Sequence, residues 1–237
     1  MAYFPFFIDI ENQDCLIAGG GMVALRKVEV LLPYGPKITV ISPEIEPEIE
    51  ALAAGGFEGA GRQETAACGP GPGPAGRPES GTGQIILKRR PFSMKDLDGR
   101  DFVIAATDDE ELNRRISHAC RARRIPVNVV DVKEECSFIF PSIVREGDIV
   151  VGISSGGKSP TVTQYLKNQV RQGIPAGYGR LVEQLGDYRD FVKERVPDVS
   201  CRTVIFKRMV DVGRENGCQL DDRLVEELIK QVTEERE

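Results

Sequence analysis

Apolar and polar positions switch between two periods along the first 140 residues. Short, almost wholly apolar runs read as strands: CLIAG (15–19), KITVI (37–41), QIIL (84–87), FVIAAT (102–107) and PVNVVD (126–131). Between them lie segments with helical spacing. MVALRKVEVLL puts Leu25, Val28 and Leu32 on one face and stops at PYGP. EIEPEIEALAA reads as a second helix. DDEELNRRISHACRARR reads as a third, with acids at its start, arginines at its end and Leu112, Ile116 and Ala119 on the buried face. Strands that are apolar throughout and separated by helices predict a parallel sheet covered on both faces, an α/β domain over residues 1–140.

One stretch interrupts this order. GGFEGAGRQETAACGPGPGPAGRPESGTG, at 55–83, is dominated by Gly and Pro and has little to bury. It reads as a disordered surface insertion.

Beyond Asp131 the pattern changes. CSFIFPSIVREGDIVVGISSGG suggests two more strands joined at REGD, followed by a helix over SPTVTQYLKNQVRQ with Ser159 as N-cap and Pro160 at the first helical position. From Pro175 onward three helical segments follow, and Gly217 is a natural terminator before the last. The expected division is therefore 1–140, a short strand-rich region at 141–174, and a helical domain at 175–237.

Composition narrows the classes. A formal net charge of −6 argues against general nucleic-acid binding. No apolar run reaches the roughly 20 residues of a membrane span. The opening MAYFPFFIDIENQD has neither a basic leader nor a small-residue cleavage site, so a cytoplasmic protein is expected. The six cysteines show no zinc-ligand spacing and read as free thiols, with Cys15 inside a buried strand. The lone histidine, His118, lies mid-helix between Ile116 and Ala119 and reads as a satisfied or solvated helix residue rather than a ligand; no metal site is expected.

The chemistry gathers at strand ends. Gly19, Gly21 and Ala24 form G-x-G-x-x-A after the first strand and at the mouth of the first helix. In a dinucleotide fold the first glycine makes the turn, the second leaves room for a diphosphate, and the third small residue lets helix and strand pack closely. Gly20, Met22 and Val23 complete the cradle of backbone amides, at the positive end of a helix dipole. The second strand runs into Ser42, Pro43 and Glu44, candidates for the adenosine ribose; Glu44 favours NAD, because a carboxylate repels a 2′-phosphate. Glu44 equally suits the start of the next helix. Thr107 and Asp108 follow the fourth strand, either beside a nicotinamide ribose or as a helix cap. Asp131 follows the fifth strand at its carboxyl end, where open α/β sheets bind ligands. SSGGKSP, from Ser154 to Pro160, is a second glycine loop before a helix, either an anion cradle or an ordinary turn.

These residues resemble a known family. FPFFIDIENQDCLIAGGGMVALRKVEVLLPYGPKITVISPE, then FVIAATDDEELNRRI, NVVD and SFIFPSIVREGDIVVGISSGGKSP are similar to precorrin-2 dehydrogenases, which also form the N-terminal module of siroheme synthases. The resemblance covers nearly the whole chain except 55–83. It implies a Rossmann-type domain, a small strand-rich dimerisation region and a helical C-terminal domain. It also implies NAD-dependent oxidation of precorrin-2 to sirohydrochlorin in a homodimer. In some members Fe²⁺ is then inserted at the same site. The larger synthases carry a methyltransferase module, which is not expected within these 237 residues. The family's key catalytic group is the aspartate of NVVD, here Asp131. Ser155 and Gly156 then border the active site, and Arg145 and Lys158 become cationic partners for a tetrapyrrole rich in carboxylates. Lys167, Lys88, Arg89 and Arg90 are further cations of that kind, though a charged run is also an ordinary solvated face. A rival reading keeps the glycine loop and discards the chemistry: a non-enzymatic NAD(H) sensor.

Overall fold

The computed structural model describes residues 3–55 and 83–235. Most of the expected Gly/Pro-rich insertion, positions 56–82, lies outside the described residues. The chain forms two compact units that meet in sequence between Pro141 and Ser142.

The first unit is a five-stranded sheet, β1 (Asp14–Ala18), β2 (Lys37–Ile41), β3 (Gln84–Lys88), β4 (Phe102–Ala105) and β5 (Val127–Val129), in the order β3-β2-β1-β4-β5. All four strand pairs are parallel. Alternation explains the unbroken apolar runs. Cys15 and Ile17 face one core with Leu25, Val28 and Ile49, whereas Leu16 and Ala18 face the other with Ile116, Cys120 and Val127. Every one of these side chains is buried, and each large aliphatic one contributes about 1.5–3 kcal/mol relative to exposure.

The first core is covered by α1 (Met22–Leu31) and α2 (Pro47–Ala53), the second by α3 (Glu110–Ala122). Helix α1 gives way at Leu32 to a 3₁₀ turn that ends in a left-handed Gly35. Helix α2 is shorter than EIEPEIEALAA suggests. Pro47 is its first residue, because a residue preceding proline is pushed out of helical geometry. The outer edge of β5 is covered by its own continuation. Val127 N–H donates to Ser137 Oγ at 2.8 Å and Val129 N–H to Cys136 Sγ at 3.2 Å, while Ser137 N–H donates to Val127 O at 2.8 Å. Two small polar side chains thus stand in for a sixth strand.

The second unit opens with an antiparallel hairpin, β6 (Ser142–Glu146) and β7 (Ile149–Ile153), then α4 (Pro160–Gly173), α5 (Tyr178–Arg195), α6 (Val199–Glu215) and α7 (Asp222–Glu234). The hairpin turn rests on α5 backbone to backbone. A Cβ on Gly147 would lie 2.9 Å from Gly179 Cα, and one on Gly179 would lie 2.9 Å from Glu146 O. Leu181, Val192, Ile205, Met209, Val225 and Leu228 form the core of α5–α7. Helix α6 ends at left-handed Gly217, where Cys218 N–H donates to Gly213 O at 2.7 Å, as a Schellman stop requires.

Candidate active site

Register places four strand ends in one row. Ile41, Ala18, Ala105 and Val129 are successive neighbours across β2, β1, β4 and β5. The residues that follow them therefore share one edge of the sheet: Ser42–Glu44, Gly19–Gly21, Thr107–Asp108 and Asp131. The order of strands reverses between β1 and β4, the switch point at which doubly wound sheets take ligands.

The three glycines do different work. Gly19 has φ +112°, and a Cβ there would fall 2.1 Å from Ala106 O. A Cβ on Gly20 would fall 2.3 Å from Glu44 O and 2.9 Å from Ser42 Cβ. These two let the turn after β1 touch its neighbours on both sides. Gly21 differs. Its φ of −85° suits any residue, and a Cβ there would meet nothing within 4 Å. The fold does not require glycine at 21, so the open space over it is the feature that suits a ligand. Ala24, the third small residue, is fully buried.

Helix α1 is also prepared for an anion. No side chain caps its N-terminus and no acid stands in its first turn. By contrast, α2 carries Glu48 and Glu50 there, and α3 is capped by Asp109 and followed by Glu110 and Glu111. The first amides of a helix have no partner within it, so those of Met22 and Val23 suit phosphate oxygens. The open Cβ direction at Gly21 and the uncapped helix together fit a diphosphate.

Glu44 is exposed and sits in the loop before α2, upstream of the N-cap Glu46, so it does not open that helix. The loop is tied to the glycine turn by Glu46 N–H donating to Gly20 O at 2.9 Å. Across the site, Asp109 rather than Thr107 or Asp108 caps α3, accepting from Leu112 N–H at 3.0 Å. Thr107 is held by a buried residue that sequence reading passed over. Asn113 Oδ1 accepts from Thr107 Oγ1 at 2.7 Å and from its N–H at 3.2 Å, while Asn113 Nδ2 donates to Thr107 O at 2.9 Å. Asp108 is left exposed. Asp131 is exposed too, in the turn after β5, with φ +62°. A left-handed backbone is rare outside Gly, Asn and Asp, and here it lies two residues past the β5 strand end.

The remaining candidates lie in the second unit. Ser155 Oγ accepts from Ser159 N–H at 3.0 Å and donates to Ser159 O at 3.1 Å. Ser159 caps α4, accepting from Val162 N–H at 3.3 Å. Gly156 is left-handed at φ +64°, a Cβ there would meet nothing within 4 Å, its N–H donates to Ser154 Oγ at 3.0 Å, and Lys158 is exposed. Arg145 is half-buried, its Nε donating to Gly147 O at 3.0 Å across the hairpin turn. The hydroxyl of Ser155 thus shapes the loop.

His118 is exposed on α3, 3.7 Å from Glu135. No group of His, Cys, Asp and Glu suited to a metal ion occurs among the described residues. The five described cysteines are free and buried. Burial pushes the Cys120 thiol up to about 11 and raises those of Cys15 and Cys136, which makes them poor nucleophiles. Among the described residues no helix is long and apolar enough to cross a membrane.

A family model of NAD(P)-binding domains, NAD_binding_7, matches residues 6–142. The siroheme synthase of Thioalkalivibrio sulfidiphilus is 39% identical over 211 residues, covering 89% of this chain and 38% of that protein. The siroheme synthase of Psychrobacter sp. (strain PRwf-1) is 36% identical over 226 residues, covering 95% of this chain and 41% of its own length. The chain thus spans about two fifths of the curated relatives it matches. Among solved structures, SirC, a precorrin-2 dehydrogenase, shares the fold with a TM-score of 0.67 at 20% identity, covering 98% of this chain and 100% of that one.

Proposed function

From the premise that this chain belongs to the NAD(P)-binding family NAD_binding_7, we propose that it oxidises precorrin-2 to sirohydrochlorin with NAD⁺. The observation that carries this reading is the row of strand ends, with the uncapped head of α1 and the open Gly21 after β1 and the exposed Asp131 after β5. The siroheme synthases similar to the chain supply the substrate class.

NAD⁺ when bound accepts a hydride. The amides of Gly20–Val23 would hold the diphosphate, Ser42 and Glu44 would take the adenosine ribose, and Thr107 and Asp108 would flank the nicotinamide end. Dehydrogenation removes one proton for each hydride, and Asp131 takes that proton from the macrocycle. A positioned carboxylate in this role accelerates the step by about 10²–10⁴. Arg145 and Lys158 are, by charge, the partners we assign to the substrate's carboxylates, with Ser155 and Gly156 shaping the loop beside Lys158.

Asparagine accepts a left-handed backbone, so Asp131→Asn removes the base without straining the turn. This variant should lose at least about a hundredfold in turnover while its NAD⁺ affinity, read by calorimetry, stays within twofold. Equal loss of NAD⁺ affinity would remove Asp131 from its role. Running the assay anaerobically with and without Fe²⁺ reads metal insertion in the same mixture.

A further inference from the structure

The third strand delivers a run of cations to the ribose end of this site. Lys88 closes β3 and lies in register with Ile41, and Ser42 N–H donates to Lys88 O at 3.2 Å. Arg89 and Arg90 follow at once. They follow the β3 strand end as Ser42–Glu44 follow the neighbouring β2 strand end. Cations in that place would be expected to attract a 2′-phosphate, the opposite of what Glu44 implies.

Each arginine is already engaged. Arg89 forms an ion pair with Glu50 of α2. Arg90 makes a two-pronged contact with Asp96, Nη1 to Oδ2 at 2.8 Å and Nη2 to Oδ1 at 2.5 Å, and Nη1 also donates to Pro91 O. Asp96 is fixed in turn, because it accepts from Ser93 N–H at 2.9 Å in the capping box of a 3₁₀ turn. Hydrogen bonds from Arg90 above all hold its carboxyl below the usual range. The two arginines are thus each paired with a carboxylate, Arg89 with Glu50 and Arg90 with Asp96.

We propose that Glu50 and Asp96 select NAD⁺ against its 2′-phosphorylated form by occupying the two arginines that β3 brings to the adenosine ribose. The proposal rests on the NAD⁺ reading above. Glu50 is the adjustable half, since its pair is partly exposed while Asp96 is built into a turn.

The test is calorimetric titration of the protein with NAD⁺ and with NADP⁺ at low salt, needing no turnover. Wild type should favour NAD⁺. Glu50→Gln frees Arg89 and should tighten NADP⁺ by about tenfold, the effect of one charge-assisted hydrogen bond, with NAD⁺ affinity unchanged. Adding Arg89→Gln should cancel the gain, and raised salt should shrink it. An unchanged NADP⁺/NAD⁺ ratio in Glu50→Gln overturns the proposal, as does a gain that survives loss of Arg89 or a wild type that binds both equally. Wild type binding neither coenzyme would instead overturn the functional reading beneath it.

Discussion

At the scale of single residues, adjacent glycines make a sharp comparison. Gly20→Ala drives a methyl group to 2.3 Å from Glu44 O, and backbone cannot yield as a flexible side chain would. We expect a loss of about 3 kcal/mol in stability, read by denaturant unfolding. Gly21→Ala meets no protein atom, so its stability should fall by about 1 kcal/mol or less, the ordinary effect of alanine at an N-cap. Its NAD⁺ affinity should nevertheless drop about tenfold or more, because on the proposed reading the methyl group would stand where the diphosphate binds. Full NAD⁺ affinity in Gly21→Ala would move the coenzyme away from this loop. Sequence spacing pointed to Gly19 and Gly21 as the working pair. It could not show that Gly20 is the one sealed against the β2–α2 loop, because that contact joins residues distant along the chain.

At the scale of elements, helix ends give a second test. Asp198 caps α6, accepting from Ser200 Oγ at 2.6 Å and Cys201 N–H at 2.7 Å. These bonds, Ser200 first, pull its carboxyl from near 3.8 down to about 2. A depressed carboxyl stabilises the fold fully above its usual value, and that contribution is lost as pH falls from about 4 toward 2. Amide exchange in the first turn of α6 should therefore accelerate over that window, and Asp198→Asn should flatten the response. No change across the window would remove this cap from α6. The elements themselves were legible because each carries its period and its stop signal: Ser159-Pro160 opens α4, Gly217 ends α6, and the strand runs are apolar on both faces. The positions that lock them were not. Asn113 reads as a polar residue on a helix, and only the folded chain shows both ends of its amide on Thr107. Cys136 and Ser137 read as loop, yet they complete the edge of β5. Pairings of this kind depend on the path of the chain between them, which local pattern does not encode.

At the scale of the whole molecule, the hairpin and α4 leave apolar surface bare. Val162, Tyr165 and Leu166 are 51%, 64% and 41% exposed at helical spacing, beside a sheet of two strands. A two-stranded sheet is marginal alone, and a contiguous apolar face of this kind suits a partner. We propose that this face pairs with a second copy of the chain, the homodimer that the family resemblance leads one to expect. Sedimentation should give twice the 26.1 kDa of one chain, and Val162→Glu with Leu166→Glu should halve it. A wild type sedimenting as one chain at micromolar concentration would end the dimer reading.

The most direct measurement mixes the protein with NAD⁺ and freshly prepared precorrin-2 and follows NADH and sirohydrochlorin absorbance together. The two should rise in equal amounts, and Asp131→Asn should slow both alike. No NADH and no sirohydrochlorin from intact, folded protein that still binds NAD⁺ would contradict a dehydrogenase with Asp131 as its proton acceptor.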